Sequence, residues 1–128
     1  MRLLLDTHIF LWFISADTHL PEIIRDQIRN PDNEVYLSVI SLWEAIIKHQ
    51  IGRLPLPQSP ETYLSEQRER HRISSLSLDE PSVVRLAKLP LLHRDPFDRI
   101  LVCQAVEHDL IIATVDAAIC NYAITTLS

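Results

Sequence analysis

Short apolar runs alternate along the chain with longer segments in which hydrophobic and polar positions follow a helical period. The first run, Leu3-Leu4-Leu5, ends at Asp6, and the largely apolar residues 7–15 that follow have a helical pattern. This pattern predicts a short buried strand that places Asp6 at its carboxyl end, followed at once by a helix. Ligands of open α/β sheets bind at the carboxyl ends of the strands, so Asp6 marks the candidate active edge of the molecule.

The same alternation continues to the end of the chain. Further strands are predicted at 35–38, 73–78, 110–114 and 123–127, and further helices at 21–30, 41–51, 61–71, 79–88, 95–108 and 116–121. Helices of crossover length between strands predict an α/β fold with a parallel sheet and helices on both faces. The one complication is an all-helical insert at 41–71.

Composition narrows the class of protein. The 128 residues, 47% of them hydrophobic, suit a single domain spanning 1–128, and the lone glycine argues against Gly-rich phosphate loops. A net charge of -5 leaves no basic footprint for nucleic acid, although acids gathered around a metal can supply much of that charge. No apolar run approaches the ~20 residues that span a membrane, and the N-terminal run is too short for a signal peptide. We therefore expect a cytoplasmic protein.

The two cysteines, Cys103 and Cys120, have no metal-ligand spacing. Free cysteine is usually a small buried apolar residue, and we expect this of both.

Three acids follow predicted strands and also have ordinary structural interpretations. Asp6 and Asp116 suit helix N-caps, because Asp is a preferred capping residue. Glu44 completes a Ser41-x-x-Glu44 capping box. Taken one at a time, each acid is explained by helix capping alone.

Asp95 and Asp98 lie together at the start of the most apolar helix. Asp95 followed by Pro96 is a natural N-cap and first helical residue. Asp98 also lies on the face of Leu101 and Val102, which should pack inward, and an acid on a buried face needs a partner. We therefore predict a functional role for Asp98 and a structural one for Asp95.

A parallel sheet brings these acids to one edge, because all of its strands end on the same side. Four carboxylates at close range raise one another's pKa, and a divalent cation relieves the repulsion. An all-oxygen site suits Mg²⁺ or Mn²⁺ rather than Zn²⁺, and such a site can activate water for phosphodiester hydrolysis.

Two other classes of function are open. A phosphatase or phosphoacceptor domain would use an early Asp, but Asp6-Thr7-His8 lacks a second Asp two residues on. A non-catalytic module would bind RNA or a partner protein, and the presence of all four acids argues against it.

The order of these motifs resembles a known family. Leu-Leu-Leu-Asp6-Thr7, Ser38-x-x-Ser41-x-x-Glu44, Asp95-Pro-Phe-Asp98-Arg-Ile-Leu-Val-x-Gln-Ala and Thr114-x-Asp116 are similar to the PIN-domain nucleases, above all the VapC-type toxins of toxin–antitoxin pairs. The resemblance covers essentially the whole chain. It implies a three-layer fold with about five parallel strands and Mg²⁺- or Mn²⁺-dependent cleavage of RNA. It also implies a homodimer and silencing by a cognate antitoxin.

The resemblance also implies roles for individual residues. The metal ligands and catalytic acids fall on Asp6, Glu44, Asp98 and Asp116, with support from Thr114 and, more weakly, Thr7. Where the family often has basic residues beside the last acid, this chain has Val115 and Ala117, which removes charges that could hold a phosphate. The basic residues best placed by sequence to meet RNA are Arg94, Arg99, Lys48 and Arg53.

Overall fold

The computed structural model describes all residues, 1–128, as alternating strands and helices. The strands are β1 Arg2–Leu5, β2 Glu34–Ser38, β3 Ser74–Leu76, β4 Ile111–Ala113 and β5 Thr126–Leu127. The helices are α1 Thr7–Ile14, α2 Glu22–Arg29, α3 Val39–Gln50, α4 Pro60–Arg70, α5 Glu80–Val84, α6 Pro96–His108 and α7 Ala117–Cys120. No helix has the length and apolar character needed to cross a membrane.

All five strands pair in parallel, in the order β3-β2-β1-β4-β5. The central strand is β1, in which Leu4 is in register with Tyr36 of β2 and Ile112 of β4. The predicted parallel sheet of about five strands is therefore confirmed. The chain adds β2 and β3 on one side of β1 and then crosses over to add β4 and β5 on the other side. The direction in which strands are added therefore reverses between β1 and β4. Such a switch point opens a crevice at the carboxyl ends of the strands.

Helices cover both faces of the sheet and make a three-layer structure. Successive side chains of a strand point to opposite faces, so Leu3 and Leu5 join one core and Leu4 joins the other. The first core includes Phe10, Ile24, Leu37, Leu64 and Ile73. The second core includes Ile100, Leu101, Val102, Ile112 and Ile119. The central strand is therefore buried from both sides, and its carboxyl end is held between two packed layers.

The predicted start of α3 was wrong. The helix begins at Val39 rather than Ser41, and its N-cap is Ser38, whose side chain accepts a hydrogen bond from the Ile40 N–H at 3.1 Å. Strand β2 runs directly into this helix. Val and Ile disfavour helix, but burial of Ile40 in the second core outweighs that preference. The Ser41-x-x-Glu44 capping box therefore does not form.

Some outer elements are shorter than predicted. The strand predicted at 73–78 spans Ser74–Leu76, and the one predicted at 123–127 spans Thr126–Leu127. Both lie at the edges of the sheet and pair on one side only, so fewer contacts hold them extended. The helix predicted at 79–88 ends at Val84 and continues as a 3₁₀ turn.

One cysteine lies where it was predicted and one does not. Cys103 is buried, whereas Cys120 is exposed. The short helix α7 turns Ile119 into the second core and leaves the neighbouring Cys120 on the surface, so the prediction of a buried Cys120 was wrong.

Candidate functional site

Asp6 ends the central strand and directs its carboxylate to the boundary between β1 and β4. Its N–H donates to the Ala113 carbonyl at 3.0 Å, which extends the sheet by one bond. Asp6 occupies the N-cap position of α1, yet its side chain makes no capping hydrogen bond. Instead Oδ2 accepts from the hydroxyl of Thr114 at 2.8 Å. The predicted capping function is therefore absent, and the carboxylate lies in the crevice at the carboxyl ends of β1 and β4.

Burial dominates the electrostatics of Asp6, whose exposed fraction is 4%. Loss of water disfavours the charged form and raises the pKa of Asp6, while the Thr114 hydrogen bond and the positive charge of His8 act in the opposite direction. The negative charge of Glu44 raises the Asp6 pKa further. These two acids, 38 positions apart in sequence, therefore act on each other in the fold.

Thr114 links the two strands through one hydroxyl. The residue is fully buried just after β4, and its N–H donates to the Leu127 carbonyl of β5 at 3.0 Å. Its Oγ1 donates to Asp6 and accepts from the Asp116 N–H at 3.0 Å. A buried hydroxyl with both donor and acceptor satisfied has a fixed orientation, so Thr114 holds the Asp6 carboxylate in one place.

Asp116 lies on the same side of the crevice and caps α7. One oxygen of its carboxylate accepts from the Ala118 N–H at 2.8 Å. The structural role that the sequence allowed for Asp116 is therefore present.

Glu44 enters the crevice from the second turn of α3, not from the first turn as predicted. Its Oε1 lies 2.8 Å from the hydroxyl of Thr7, and its Oε2 lies 2.7 Å from Nζ of Lys48. The same Thr7 hydroxyl is 2.8 Å from Oγ of Ser41. A hydroxyl has one proton and an ionised carboxylate only accepts, so Thr7 donates to Glu44 and accepts from the hydroxyl of Ser41. Lys48 neutralises part of the Glu44 charge.

Asp95 and Asp98 have different environments at the start of α6. The Asp95 carboxylate accepts from the N–H groups of Phe97 and Asp98 at 2.9 and 3.2 Å, so the predicted N-cap is confirmed. Asp98 makes no such cap; its side chain lies beside His93, with Nε2 to Oδ2 at 3.5 Å. Asp98 is 8% exposed, which confirms its prediction as an inward-facing acid.

The electrostatics of Asp98 connect the whole set of acids. Burial raises its pKa first, and negative charges on four other carboxylates raise it further, to about 8 from the usual 3.8. Those four carboxylates belong to Asp95, Asp6, Asp116 and Glu44. Every predicted site acid therefore lies within electrostatic reach of Asp98, at the carboxyl edge of the sheet.

The donor set suits a hard divalent cation in its chemistry. All the donors are carboxylate oxygens, and the buried, mutually repelling negative charge is what a cation relieves. As the side chains lie, no group of three His, Cys, Asp or Glu residues forms a ready-made metal-binding cluster. Mg²⁺ commonly uses one or two carboxylates and retains water molecules, so a complete protein cage is not required. Asp95 and Asp116 cap helices through their side chains, whereas Asp6, Glu44 and Asp98 do not. Of these three acids, Glu44 is paired with Lys48.

Arg99 was predicted to contact RNA, and the structure places it elsewhere. It is 8% exposed, and its guanidinium donates to the carbonyls of Pro90 and Leu89 and to the hydroxyl of Tyr122, the Pro90 bond being 2.8 Å. The side chain ties the 89–90 segment to α6, so the prediction of a substrate-facing Arg99 was wrong. Arg94 is exposed just before α6.

Sequence reasoning missed two side chains beside the acids. His93 contacts Asp98 and also lies 2.8 Å, through Nδ1, from the hydroxyl of Tyr122. Ser41, interpreted as a cap, contacts Thr7 instead. The position of His93 five residues before Asp98 was the one available signal, whereas the Ser41 contact depends on how α1 packs on α3.

Comparison with known proteins adds a family to this geometry. Residues 3–124 match the PIN domain family. Among curated proteins, no sequence matches the chain.

Similar solved structures share the fold over nearly their full length. One is the structure of VapBC2 from Rickettsia felis bound to a DNA fragment from its promoter. Its TM-score is 0.74 at 12% identity, and the alignment covers 99% of this chain and 98% of that one. VapBC-1 from nontypeable Haemophilus influenzae has a TM-score of 0.67 at 19% identity, covering 100% and 98%. A toxin–antitoxin complex from Klebsiella pneumoniae has a TM-score of 0.64 at 18% identity, covering 98% and 96%. At these identities the likeness concerns the fold.

Proposed function

The chain belongs to the PIN domain family, and we propose that it is a Mg²⁺- or Mn²⁺-dependent endoribonuclease, the toxin of a toxin–antitoxin pair. One observation carries this proposal. A carboxyl group buried at the carboxyl edge of the sheet, Asp98, has a pKa of about 8 because its burial is compounded by four neighbouring carboxylates. Repulsion among buried carboxylates destabilises a fold when nothing neutralises it. A divalent cation bound there would neutralise the repulsion, and strongly shifted pKa values of this kind are typical of functional sites.

Each acid has a part in this proposal. Asp6 and Asp98 would hold the cation directly. Glu44, which is paired with Lys48, and Asp116, which caps α7, would complete its surroundings directly or through water. The chemistry that a bound divalent cation supplies is a water of lowered pKa and stabilisation of negative charge on the phosphate.

The chain's other residues position these acids. Thr114 fixes the Asp6 carboxylate by its 2.8 Å hydrogen bond, and Thr7 does the same for Glu44 at 2.8 Å. Asp95 anchors the first turn of α6 and so orients Asp98. The exposed Arg94 stands next to that turn and would contact a phosphate of the RNA from outside the acidic site.

A partner protein and a second copy of the chain are part of the same proposal. One of the similar structures is a toxin–antitoxin complex, which supports a cognate antitoxin as the partner. We propose that this antitoxin covers the acidic site. We also propose a homodimer acting in the cytoplasm. Measurement of the mass of the purified chain, alone and after co-expression with a candidate antitoxin, tests the homodimer and the partner.

The direct test of the function compares Asp6→Asn with Asp26→Asn. Both replace an acid with its neutral isostere, but Asp26 is on α2 in an exposed ion pair with Arg25. We expect the wild-type chain and Asp26→Asn to cleave single-stranded RNA in Mn²⁺ and to stop in excess chelator. Asp6→Asn should lose about a hundredfold or more in rate while melting as a folded protein. Wild-type cleavage by Asp6→Asn, or cleavage that persists in chelator, would contradict the proposal.

The alternative is a non-catalytic module that binds RNA or a partner protein. The absence of a ready-made cluster of three metal ligands is the observation in its favour. Titration with Mn²⁺, followed by calorimetry, separates the two functions. Mn²⁺ binding that Asp6→Asn and Asp98→Asn weaken supports the nuclease, whereas no binding by the wild-type chain supports the module.

A further inference from the structure

A second concave surface lies at the amino ends of β2 and β3, on the opposite side of the sheet from the acidic site at the carboxyl ends of the strands. This cleft has a volume of about 410 Å³ and an apolar floor that includes Phe13 and Val35. Three arginines, Arg29, Arg70 and Arg72, line it and are exposed. We refer to this surface, defined by the three arginines and its apolar floor, as the arginine cleft.

The arginine cleft collects positive charge that the rest of the chain does not neutralise. The protein has 17 acidic and 12 basic residues, yet no Asp or Glu lines the cleft. None of its three guanidinium groups forms an ion pair. Four other arginines, by contrast, each pair with a carboxylate, namely Arg2, Arg25, Arg68 and Arg85. The cleft is therefore a basic site on an acidic protein.

The backbone at Arg72 is strained. Its φ of 57° lies in the left-handed region, at the second residue after the end of α4, a position where this conformation is usually adopted by glycine. The chain closes around it with a bond from the Ile73 N–H to the Arg68 carbonyl at 3.0 Å. A left-handed backbone is unfavourable for a residue with a side chain, and strained backbone of this kind clusters at binding sites.

Two rings stand together beside the arginines. The rings of Phe13 and His71 meet edge to face, with centroids 4.9 Å apart. Burial, together with the positive charges of Arg70 and Arg29, lowers the pKa of His71 below its usual value. A neutral imidazole offers a flat face and hydrogen bonds without adding charge.

From this combination we propose that the arginine cleft binds single-stranded RNA, with its arginines on the phosphates and its rings against a base. Guanidinium groups match phosphate oxygens in a bidentate fork. Aromatic side chains beside positive charge are the usual platform for unpaired bases. An acidic peptide would satisfy the arginines but would leave the ring pair unused.

This inference rests on the proposed function in taking RNA as the ligand, and it supplies what the acidic site lacks. The last acidic motif has Val115 and Ala117 in place of basic residues, and Arg99 is buried. Strand β2 has five residues, so the amino and carboxyl ends of the strands lie about 16 Å apart at ~3.3 Å per residue. The arginine cleft and the acidic site are separated by about this distance. A strand of a few nucleotides, or a folded RNA, reaches both.

The test measures RNA binding without catalysis. All variants carry Asp6→Asn and are kept in chelator, and a fluorescent oligouridine is the probe. The pair Arg29→Glu and Arg70→Glu reverses the charge of the cleft and leaves Arg72 in place. The matched control, Arg85→Glu and Lys88→Glu, makes the same change in net charge at the turn that packs against α6. Thermal melting verifies that both variants are folded.

We expect the cleft variant to bind about tenfold or more weakly than the Asp6→Asn parent, and the control to bind within about threefold of it. The slope of log affinity against log salt concentration should be smaller in magnitude by about 1.4 in the cleft variant. Two phosphate contacts are lost, and each contact on a single strand contributes about 0.7 to the slope. The His71 ring signals in an NMR spectrum of the parent should shift on addition of the oligouridine.

Three results would overturn the inference. The first is an equal loss of affinity in both variants, or no RNA binding by the parent. The second is binding of duplex DNA or polyglutamate through the same arginines as tightly as RNA. The third is binding of uridine monophosphate alone as tightly as the oligouridine. If the proposed function fails instead, the wild-type chain shows no Mn²⁺-dependent cleavage while cleft-dependent RNA binding remains.

Discussion

The hydroxyl of Thr114 lies 2.8 Å from Oδ2 of Asp6 and joins two residues that are 108 positions apart in the chain. The same oxygen accepts a hydrogen bond from the Asp116 N–H at 3.0 Å. The central carboxylate of the site is therefore held by the strand beside it rather than by its own helix.

Replacement of this hydroxyl tests its positioning role. Thr114→Val keeps the shape but leaves the Asp116 N–H and the Asp6 carboxylate without their partner. We expect a loss of about 1–3 kcal/mol in the free energy of unfolding and a fall in kcat of about tenfold or more. Thr114→Ser, which keeps the hydroxyl, should recover most of both. Denaturant unfolding and RNA cleavage kinetics measure the two effects, and a serine variant as impaired as the valine variant would show that the methyl group matters instead.

Thr7 offers a parallel test at Glu44. Thr7→Val removes the group that lies 2.8 Å from both Glu44 and Ser41. We expect weaker Mn²⁺ binding, by about tenfold, because an outer hydrogen bond that orients a ligand is lost. Thr7→Ser is the matched control and should bind Mn²⁺ as the wild type does in calorimetry. Unchanged affinity in Thr7→Val would show that Lys48 alone orients the Glu44 carboxylate.

Asp98 should give stability an unusual pH dependence. Its pKa is about 8 in the fold, against 3.8 ordinarily, so the folded state holds a proton that the unfolded state releases. The stabilisation from that proton is complete below about pH 4 and is lost as pH rises through about 8.

Asp98→Asn imitates the protonated form at every pH. In chelator we expect it to be more stable than the wild type at about pH 8, by roughly 2–4 kcal/mol, and nearly equal to it at about pH 4. Mn²⁺ should raise the melting temperature of the wild type and leave that of Asp98→Asn almost unchanged. Thermal melts at both pH values, with and without Mn²⁺, measure this. A difference between the two proteins that does not grow with pH would contradict the electrostatic explanation.

The neighbouring arginines should separate stability from substrate binding. Arg99→Ala removes the guanidinium that bonds the Pro90 carbonyl at 2.8 Å and the Tyr122 hydroxyl at 3.1 Å. We expect it to lower the free energy of unfolding by about 2–4 kcal/mol. Arg94→Ala should leave stability within about 0.5 kcal/mol and raise KM. Unfolding curves and cleavage kinetics on both variants check this. An Arg99→Ala protein that is as stable as the wild type but has a raised KM would indicate that Arg99 contacts the RNA.

The sequence was most informative where one residue depends on its own neighbours. The run Leu3-Leu4-Leu5 before Asp6 predicted a buried strand correctly, because burial on both faces leaves an unbroken apolar signal. The same local logic separated Asp95, which caps its helix, from the inward-facing Asp98. Parallel topology then placed the acids at one edge, and the structure agrees.

The sequence was least informative where a role depends on distant packing. Arg99 looked like a surface residue beside an acid, but carbonyls at 89–90 and the hydroxyl of Tyr122 surround it. Ser41 fitted a capping box, yet the chain turned into helix two residues earlier. Neither outcome is encoded in local spacing, since each depends on contacts between segments far apart in the chain.

The last strand of the sheet has a consequence for the motion of the site. Thr114 is held by the Leu127 carbonyl of β5 at 3.0 Å, and β5 has only two residues. When this short edge strand frays, the residue that fixes Asp6 loses its outer anchor. Amide exchange at Thr114 should therefore report how often the site loosens, and exchange faster than global unfolding would make β5 the element whose opening limits how long the acids stay aligned.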